Sequence, residues 1–202
     1  PKGRLVKVDG VQFQLIDGKL YRYADLTMDK GFKIVFGQIG SEELLKNLLN
    51  RLLGTRISRL TYRNTEHPGM TEDERESRFD VYCEDEAGNC FEVEMQNWSQ
   101  KYINKETGSE LGDGTNIVFV DLHNFTKEID ECNDLKDIWI YSIRNMLEMH
   151  KCPDKIIGSE VEELFRRAEL AKMTLKQRII LEESIMTQND ILNSVAEQLE
   201  EA

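Results

Sequence analysis

Residues 78 to 96 read Arg-Phe-Asp-Val-Tyr-Cys-Glu-Asp-Glu-Ala-Gly-Asn-Cys-Phe-Glu-Val-Glu-Met-Gln, and this stretch decides the fold of the chain. Two alternating runs, Arg78 to Glu84 and Cys90 to Gln96, flank the polar loop Asp85 to Asn89, which contains Gly88. Alternating runs on both sides of a short glycine-containing loop are typical of a β-hairpin. The sequence therefore predicts two antiparallel strands here.

The register of this hairpin follows from its loop. Pairing across the loop places Glu84 opposite Cys90, and the same register places Asp80 opposite Glu94. Successive side chains of a strand point to opposite faces, so the hairpin has an apolar face and a polar face. The apolar face, which we expect to lie on the core, consists of Phe79, Val81, Cys83, Phe91, Val93 and Met95. The polar face consists of Asp80, Tyr82, Glu92, Glu94 and Gln96.

Two acids facing each other on the polar face need an explanation. Directly opposed residues have Cβ atoms roughly 4.5 to 5.5 Å apart, and like charges at that distance destabilise the pair. A divalent cation would offset the repulsion of Asp80 and Glu94, because two carboxylates are a common protein contribution to a magnesium site. The alternative is an ordinary solvated acidic face, since antiparallel sheets usually have one exposed polar side.

The hairpin also carries a family signature. Phe79-Asp80-Val81, followed by Val93-Glu94-Met95-Gln96, resembles the active-site motif of the PD-(D/E)XK nuclease superfamily. More narrowly, it resembles the Rpn-type PD-(D/E)XK nuclease family transposases, which have Gln in place of the usual Lys. Matching segments upstream are Arg22 to Asp25, Asp29 to Gly37 and Leu44 to Asn50. The resemblance covers roughly residues 21 to 101 and resumes near residue 115.

This resemblance implies an α/β (α+β) fold with a restriction-endonuclease-like core, a mixed sheet flanked by helices, and a C-terminal helical extension. We expect an N-terminal β-meander extension over 1–20, the nuclease-like core over 21–125 and a C-terminal helical region over 126–202. The implied activity is Mg²⁺-dependent hydrolysis of phosphodiester bonds in DNA during recombination or transposition, with Mn²⁺ as a substitute metal. DNA is the implied partner, and the C-terminal helices are candidates for a homo-oligomer interface.

The resemblance also assigns roles to residues. Asp80 and Glu94 would bind the metal, the backbone carbonyl of Met95 would add a ligand, and Gln96 would orient the attacking water. Further candidates are Glu42, Glu43 and Lys33 as accessory site residues, and Arg78 and Lys101 as substrate contacts. Helix capping is the alternative explanation for Glu42 and Glu43, and a solvated surface is the alternative for the basic residues.

One segment departs from the family pattern. Only residues 97 to 116 separate Gln96 from the apolar run Ile117 to Leu122, where the family normally has a helix, a strand and further residues. Either the gene has an internal deletion or residues are missing from the sequence. In the first case Ile117 to Leu122, continuously apolar apart from Asp121, is expected to be a buried strand in the vacated position. The shortening leaves open a catalytically degenerate remnant that serves as a DNA-binding or protein-interaction module.

Composition limits the remaining possibilities. The net charge of −12 argues against a uniformly basic nucleic-acid surface, although Arg51, Arg56, Arg59 and Arg63 are grouped in sequence. Four cysteines without C-x-x-C spacing argue against a zinc site and fit a reducing cytoplasm. No signal-peptide pattern and no apolar run near 18 residues occur, so we expect a soluble cytoplasmic protein without a membrane span.

The other segments have clear local signals. Asp9-Gly10 and Asp17-Gly18 divide Leu5 to Leu20 into a β-meander. We expect a helix over Asp29 to Phe36, a leucine-rich helix capped by Ser41 and ended by Gly54, and a strand over Arg56 to Tyr62. The C-terminal pattern predicts helices over Lys127 to His150, after the cap Ser159, over Leu175 to Met186 and over Asp190 to Leu199.

Overall fold

The computed structural model describes residues 4–63, 81–93 and 120–184. These residues form an α+β fold with two three-stranded antiparallel sheets and several helices, which confirms the predicted fold class. The strands are β1 (Arg4–Val8), β2 (Val11–Ile16), β3 (Lys19–Tyr21), β4 (Leu60–Tyr62), β5 (Val81–Asp85) and β6 (Cys90–Val93). The α-helices are α1 (Asp29–Phe36), α2 (Glu42–Leu53), α3 (Leu135–Asn145), α4 (Glu162–Ala168) and α5, described over residues 175–184.

The first sheet is the predicted β-meander, with strand order β1-β2-β3. Its first turn joins Val8 to its partner Val11 through Asp9 and Gly10, which have φ angles of 50° and 82°. Positive φ at both central residues is what a two-residue type I′ turn requires, and its twist matches that of the strands. The second turn, at Asp17-Gly18, has the same signs. The two Asp-Gly pairs therefore set the register of this sheet.

Helices α1 and α2 supply the centre of the core. Helix α1 has the predicted bounds, and its residues Phe32, Val35 and Phe36 are all buried. Helix α2 buries Leu44, Leu45, Leu48 and Leu49, and it ends at Gly54, which has a left-handed φ of 68°. Ser41 is the N-cap residue of this helix, as predicted, but its side chain makes no capping hydrogen bond. Its hydroxyl oxygen instead accepts a hydrogen bond from Nη1 of Arg167 at 2.8 Å, and this contact ties the start of α2 to α4.

The second sheet has the order β4-β5-β6, and its first strand is shorter than predicted. The sequence predicted a strand from Arg56, whereas β4 begins at Leu60. Side chains satisfy the backbone before that point. The amide of Asn50 bonds to both the N–H and the carbonyl of Ile57, and the Glu86 carboxylate accepts from the N–H groups of Ser58 and Arg59. Backbone groups that already have side-chain partners do not need a neighbouring strand.

The C-terminal region is helical, with more interruptions than predicted. Instead of one helix from Lys127, a short 3-10 turn at Ile129–Glu131 precedes α3, which begins at Leu135. The reason is Asp134, whose carboxylate accepts from the N–H of Asp137 at 2.8 Å and so forms the N-cap. Similarly, Ser159 bonds to the N–H of Val161, and α4 begins only at Glu162. The end of the third predicted helix and the whole of the fourth lie outside the described residues.

The strand predicted over Ile117 to Leu122 is wrong where the structure describes it. Its last three residues, Val120 to Leu122, are not in a strand, and Val120 is exposed. The Asp121 carboxylate accepts from the N–H groups of His123 and Asn124, which turns the chain at this point. The first three residues of the predicted strand lie outside the described part.

One hydrophobic core joins the central and C-terminal parts of the chain. The rings of Phe36 and Trp139 have centroids 6.3 Å apart, and those of Tyr23 and Phe165 meet edge to face at 5.5 Å. The N–H of Ala24 also donates to the carbonyl of Ala168 at 2.9 Å. The domain boundaries at residues 20/21 and 125/126 stay predictions, but the described core continues across the second of them.

Candidate active site

The hairpin β5–β6 has the register that its sequence predicts. Val81 pairs with Val93, Tyr82 with Glu92, Cys83 with Phe91 and Glu84 with Cys90. The loop is closed by the Asp85 carboxylate, which accepts from the N–H groups of Ala87 and Asn89 and from the Asn89 amide. These hydrogen bonds, that of the Asn89 side chain first, lower the pKa of Asp85. The loop thus fixes the pairing of the two strands.

Where the structure describes them, the two faces of the hairpin are as predicted; Phe79 and Met95 of the predicted apolar face lie outside the described residues. Val81 and Cys83 are buried in the core, and Phe91 and Val93 pack against it. Burial raises the pKa of the Cys83 thiol to about 12, so it stays protonated. Tyr82 and Glu84, on the other face, are partly exposed. Alternation along β5 therefore separates a dry face from a solvent-facing polar face.

The principal predicted site residues stand directly beside this described hairpin. Asp80 precedes Val81, and Glu94 follows Val93, the residue that pairs with Val81. All six residues predicted for metal binding, catalysis or substrate contact at this hairpin lie outside the described residues: Arg78, Asp80, Glu94, Met95, Gln96 and Lys101. Their roles stay predictions. Within the described part of the chain, no group of three or more metal-ligating side chains occurs.

The accessory residues are described, and local contacts account for two of them. The carboxylate of Glu42 accepts from the N–H of Gly40 at 2.7 Å, and Glu43 forms an ion pair with Lys46 at 2.6 Å. Both acids lie in the first turn of α2, where negative charge is favourable. Lys33 lies in the last turn of α1 and is partly exposed. Capping and surface pairing thus explain Glu42 and Glu43 without a metal.

The charge of Glu42 affects Tyr62, a residue on the buried side of the sheet β4-β5-β6. Tyr62 pairs with the buried Cys83, and its hydroxyl donates to the carbonyl of Phe36 at the end of α1. Burial raises the pKa of Tyr62, and the charge of Glu42 raises it further. Tyr82 and Glu84 occupy the opposite face of the same sheet by alternation. The structure therefore places Glu42 near the helix-covered face rather than among the described residues of the polar face.

The polar face of the sheet includes Arg63, one of the four arginines that are grouped in the sequence. The N–H of Arg63 donates to the carbonyl of Tyr82 at 3.0 Å, which continues the β4–β5 ladder. Its guanidinium forms a 2.7 Å ion pair with Glu84. Arg51, from the same predicted basic group, instead pairs with Glu160 at 2.9 Å. Arg51 and Arg63 therefore belong to different ion pairs, and the β4–β5 register, which the structure supplies, singles out Arg63.

The fold and the hairpin define a class of α+β protein in which one acidic residue directly precedes β5 and another directly follows its paired strand β6 in the sequence. The family model of the PD-(D/E)XK nuclease family transposases matches residues 26–107, which confirms the resemblance over this segment. The matched segment includes α1, α2, β4 and the whole hairpin, and the match implies a nuclease or transposase role. No curated protein and no solved structure matches the chain. None of the described helices is long and apolar enough to cross a membrane.

Proposed function

We propose that the protein is a metal-dependent DNA endonuclease of the PD-(D/E)XK transposase type. One observation carries the proposal: the described pairing of β5 and β6 reaches Val81 and Val93. Continued by one residue, the same register would bring Asp80 opposite Glu94. The family match independently includes both positions. A described register and a family signature thus agree on the same two acids.

The donor chemistry of these residues fits Mg²⁺. Carboxylate and carbonyl oxygens are the hard ligands that this ion prefers, and Mn²⁺ accepts the same donors. Asp80 and Glu94 would hold the metal, with the carbonyl of Met95 as a further ligand. The metal would offset the repulsion of the two acids and supply activation of a water molecule.

Gln96 would have a positioning role on the same face. Its side-chain amide can accept a hydrogen bond from water and donate one to a phosphate oxygen. Unlike the Lys of related motifs, it has no positive charge to stabilise charge developing on the phosphate. The proposed enzyme therefore depends on its metal more strongly than an enzyme with Lys at this position.

DNA is the proposed substrate, and its contacts must be local because the chain has a net charge of −12. Arg78 and Lys101 are proposed to contact the phosphate backbone next to the acids. Arg63 lies on the polar face of the described sheet and is half exposed, so it is available to a substrate that approaches this face. We further propose that the protein acts in the cytoplasm, where its four free thiols would stay reduced.

Nicking of supercoiled plasmid tests this function. In Mg²⁺, Asp80→Ala and Glu94→Ala should each lower the nicking rate by at least on the order of a hundredfold, because each removes a metal ligand. The matched control is Glu84→Ala. It removes an acid that lies on the same face but forms an ion pair with Arg63. It should leave the rate within about twofold, as exposed ion pairs contribute little. Wild-type rates in both acid variants would refute the assignment.

A remnant scaffold without catalysis is the competing function, and the acidic net charge favours it. In that case the parent protein would not nick plasmid in Mg²⁺ or Mn²⁺. Retained binding to a short DNA duplex would then identify a DNA-binding module, and loss of both activities would leave a protein-interaction role.

A further inference from the structure

A polar cleft lies at the C-terminal end of α2, between this helix and the loop that leads to β4. Its volume is about 380 Å³, which is within the range of small-molecule sites and more than a bare ion needs. Eight residues line it: Asn47, Asn50, Arg51, Thr55, Arg56, Ile57, Ser58 and Glu160. None of the eight is among the predicted site residues, so the cleft is a separate feature of the surface.

Side-chain hydrogen bonds hold the walls of the cleft in place. The Asn50 amide bonds to both the N–H and the carbonyl of Ile57, and Nζ of Lys46 donates to the carbonyl of Ser58 at 3.2 Å. The hydroxyl of Thr55 donates to Oδ1 of Asn50 at 3.0 Å. These bonds fix the loop against α2, and a fixed site loses little conformational entropy when it binds a ligand.

An ion pair orients Arg51 at the cleft. Nε and Nη2 of Arg51 donate to the two carboxylate oxygens of Glu160, both at 2.9 Å, and the indole N–H of Trp139 donates to the same carboxylate at 2.9 Å. The hydrogen bond from Arg51 lowers the pKa of Glu160, so this carboxylate is ionised at neutral pH. Both of its oxygens have partners, and the pairing leaves Nη1 of Arg51 to donate to a ligand.

The cleft has further donors and a positive charge. The exposed guanidinium of Arg56 and the side-chain amide of Asn47 have no hydrogen-bond or ion-pair partner among the described residues. Arg51 and Arg56 are the cations of the lining and Glu160 is its anion, so one positive charge is left over. The C-terminal end of α2 contributes only about half a negative charge. The cleft therefore stays positive and favours an anionic ligand.

This donor set fits a phosphate group better than a carboxylate. A carboxylate presents two oxygens in one plane, whereas Arg51 and Asn47 on the helix and Arg56 on the loop can donate to several oxygens of a tetrahedral anion. The volume beyond the phosphate accommodates an organic group attached to it. We propose that the cleft binds the phosphate group of a nucleotide, either a free nucleotide or one unit of a DNA strand.

Titration of the full-length chain with deoxyadenosine monophosphate, followed by NMR, tests this site. The indole N–H signal of Trp139, assigned with Trp139→Phe, should shift saturably, because this indole bonds to the carboxylate that orients Arg51. Arg56→Gln should weaken binding about tenfold, since it removes a charged donor. The matched control is Arg59→Gln, which removes an exposed arginine of the same loop that does not line the cleft. It should change the Kd by less than about twofold.

Three further titrations at constant ionic strength define the ligand. Inorganic phosphate should shift the same signal with lower affinity, whereas deoxyadenosine, which lacks the phosphate, should not shift it. A short DNA duplex, added without divalent metal, then separates the two sources of the phosphate. Competition between the duplex and the nucleotide would support the inference with a DNA strand as the ligand, and binding of the nucleotide alone would support it with a free nucleotide.

The contrary results are equally specific. The inference would be overturned by the lack of a saturable shift, by equal binding of deoxyadenosine, or by equal weakening in Arg56→Gln and Arg59→Gln. Melting curves show that each variant is folded before titration. The test uses neither the metal nor cleavage, so its outcome is independent of the proposed nuclease function.

Discussion

Both antiparallel units of this molecule, the meander β1–β3 and the hairpin β5–β6, have one largely apolar face and one more polar face. The hairpin buries its apolar face, whereas the meander turns its apolar face outward. The hairpin buries Val81 and Cys83 and leaves its polar residues Tyr82 and Glu84 partly exposed. The meander buries Gln12 and Gln14 and turns Val8 and other apolar residues outward. Period-two alternation determines which residues share a face. Which face is buried depends on what packs on it, and the two units have different neighbours.

The largest expected difference between these units concerns a charge placed on each apolar face. Val81→Asp puts a carboxyl group into the core and should lower the free energy of unfolding by roughly 3 to 5 kcal/mol. Val11→Asp, at a position 38% exposed, should lower it by less than about 1 kcal/mol. Urea unfolding of the two variants measures both values. Equal losses would show that the two sheets are oriented alike.

A smaller effect of opposite sign is expected at the buried face of the meander. Gln14→Met removes an amide whose Nε2 has no described partner and should raise the free energy of unfolding by about 1 kcal/mol. Gln12→Met is the matched control, since its Nε2 donates to the carbonyl of Val6 at 3.1 Å and the variant loses that hydrogen bond. Thermal unfolding compares the two variants. Destabilisation by Gln14→Met would show that this amide has a favourable role in the native protein.

The smallest effect concerns the link between the hairpin loop and β4. The Glu86 carboxylate accepts from the N–H of Arg59, its own N–H and that of Ser58, and these bonds lower its pKa from 4.5 to about 2. Because the folded-state pKa is depressed, the contribution of Glu86 is fully present above pH 4.5 and is lost as the pH falls toward 2. The stability difference between the parent and Glu86→Gln should follow this profile in urea unfolding at several pH values. A difference that persists unchanged to pH 2 would contradict it.

Local signals predicted much of the fold. The register of the hairpin follows from the length of its loop, and the Asp-Gly turns of the meander require positive φ wherever they occur. The bounds of α1 and the end of α2 at Gly54 follow from helical spacing and from the left-handed conformation that glycine adopts readily. These features depend on residues close together in sequence.

Distant side chains explain most of the differences. The side chain of Ser41, the N-cap residue of α2, makes no capping hydrogen bond, and its hydroxyl instead accepts from Arg167, far along the chain. Strand β4 begins late because Asn50 and Glu86 already satisfy the preceding backbone. For the candidate site, the sequence predicted the register that leads to Asp80 and Glu94. The local sequence pattern could not show that the Glu42 carboxylate accepts a hydrogen bond from the N–H of Gly40. Nor could it show that the charge of Glu42 raises the pKa of Tyr62.

The central claim is that Asp80 and Glu94 form a divalent metal site at the end of the described hairpin. Calorimetric titration of Mg²⁺ or Mn²⁺ into the parent protein, Asp80→Ala and the control Glu84→Ala tests it most directly. The account predicts saturable binding to the parent and to Glu84→Ala, and loss of that binding in Asp80→Ala, because one carboxylate alone holds the ion poorly. The same titration curve for the parent and Asp80→Ala, or no binding to the parent at all, would contradict the claim.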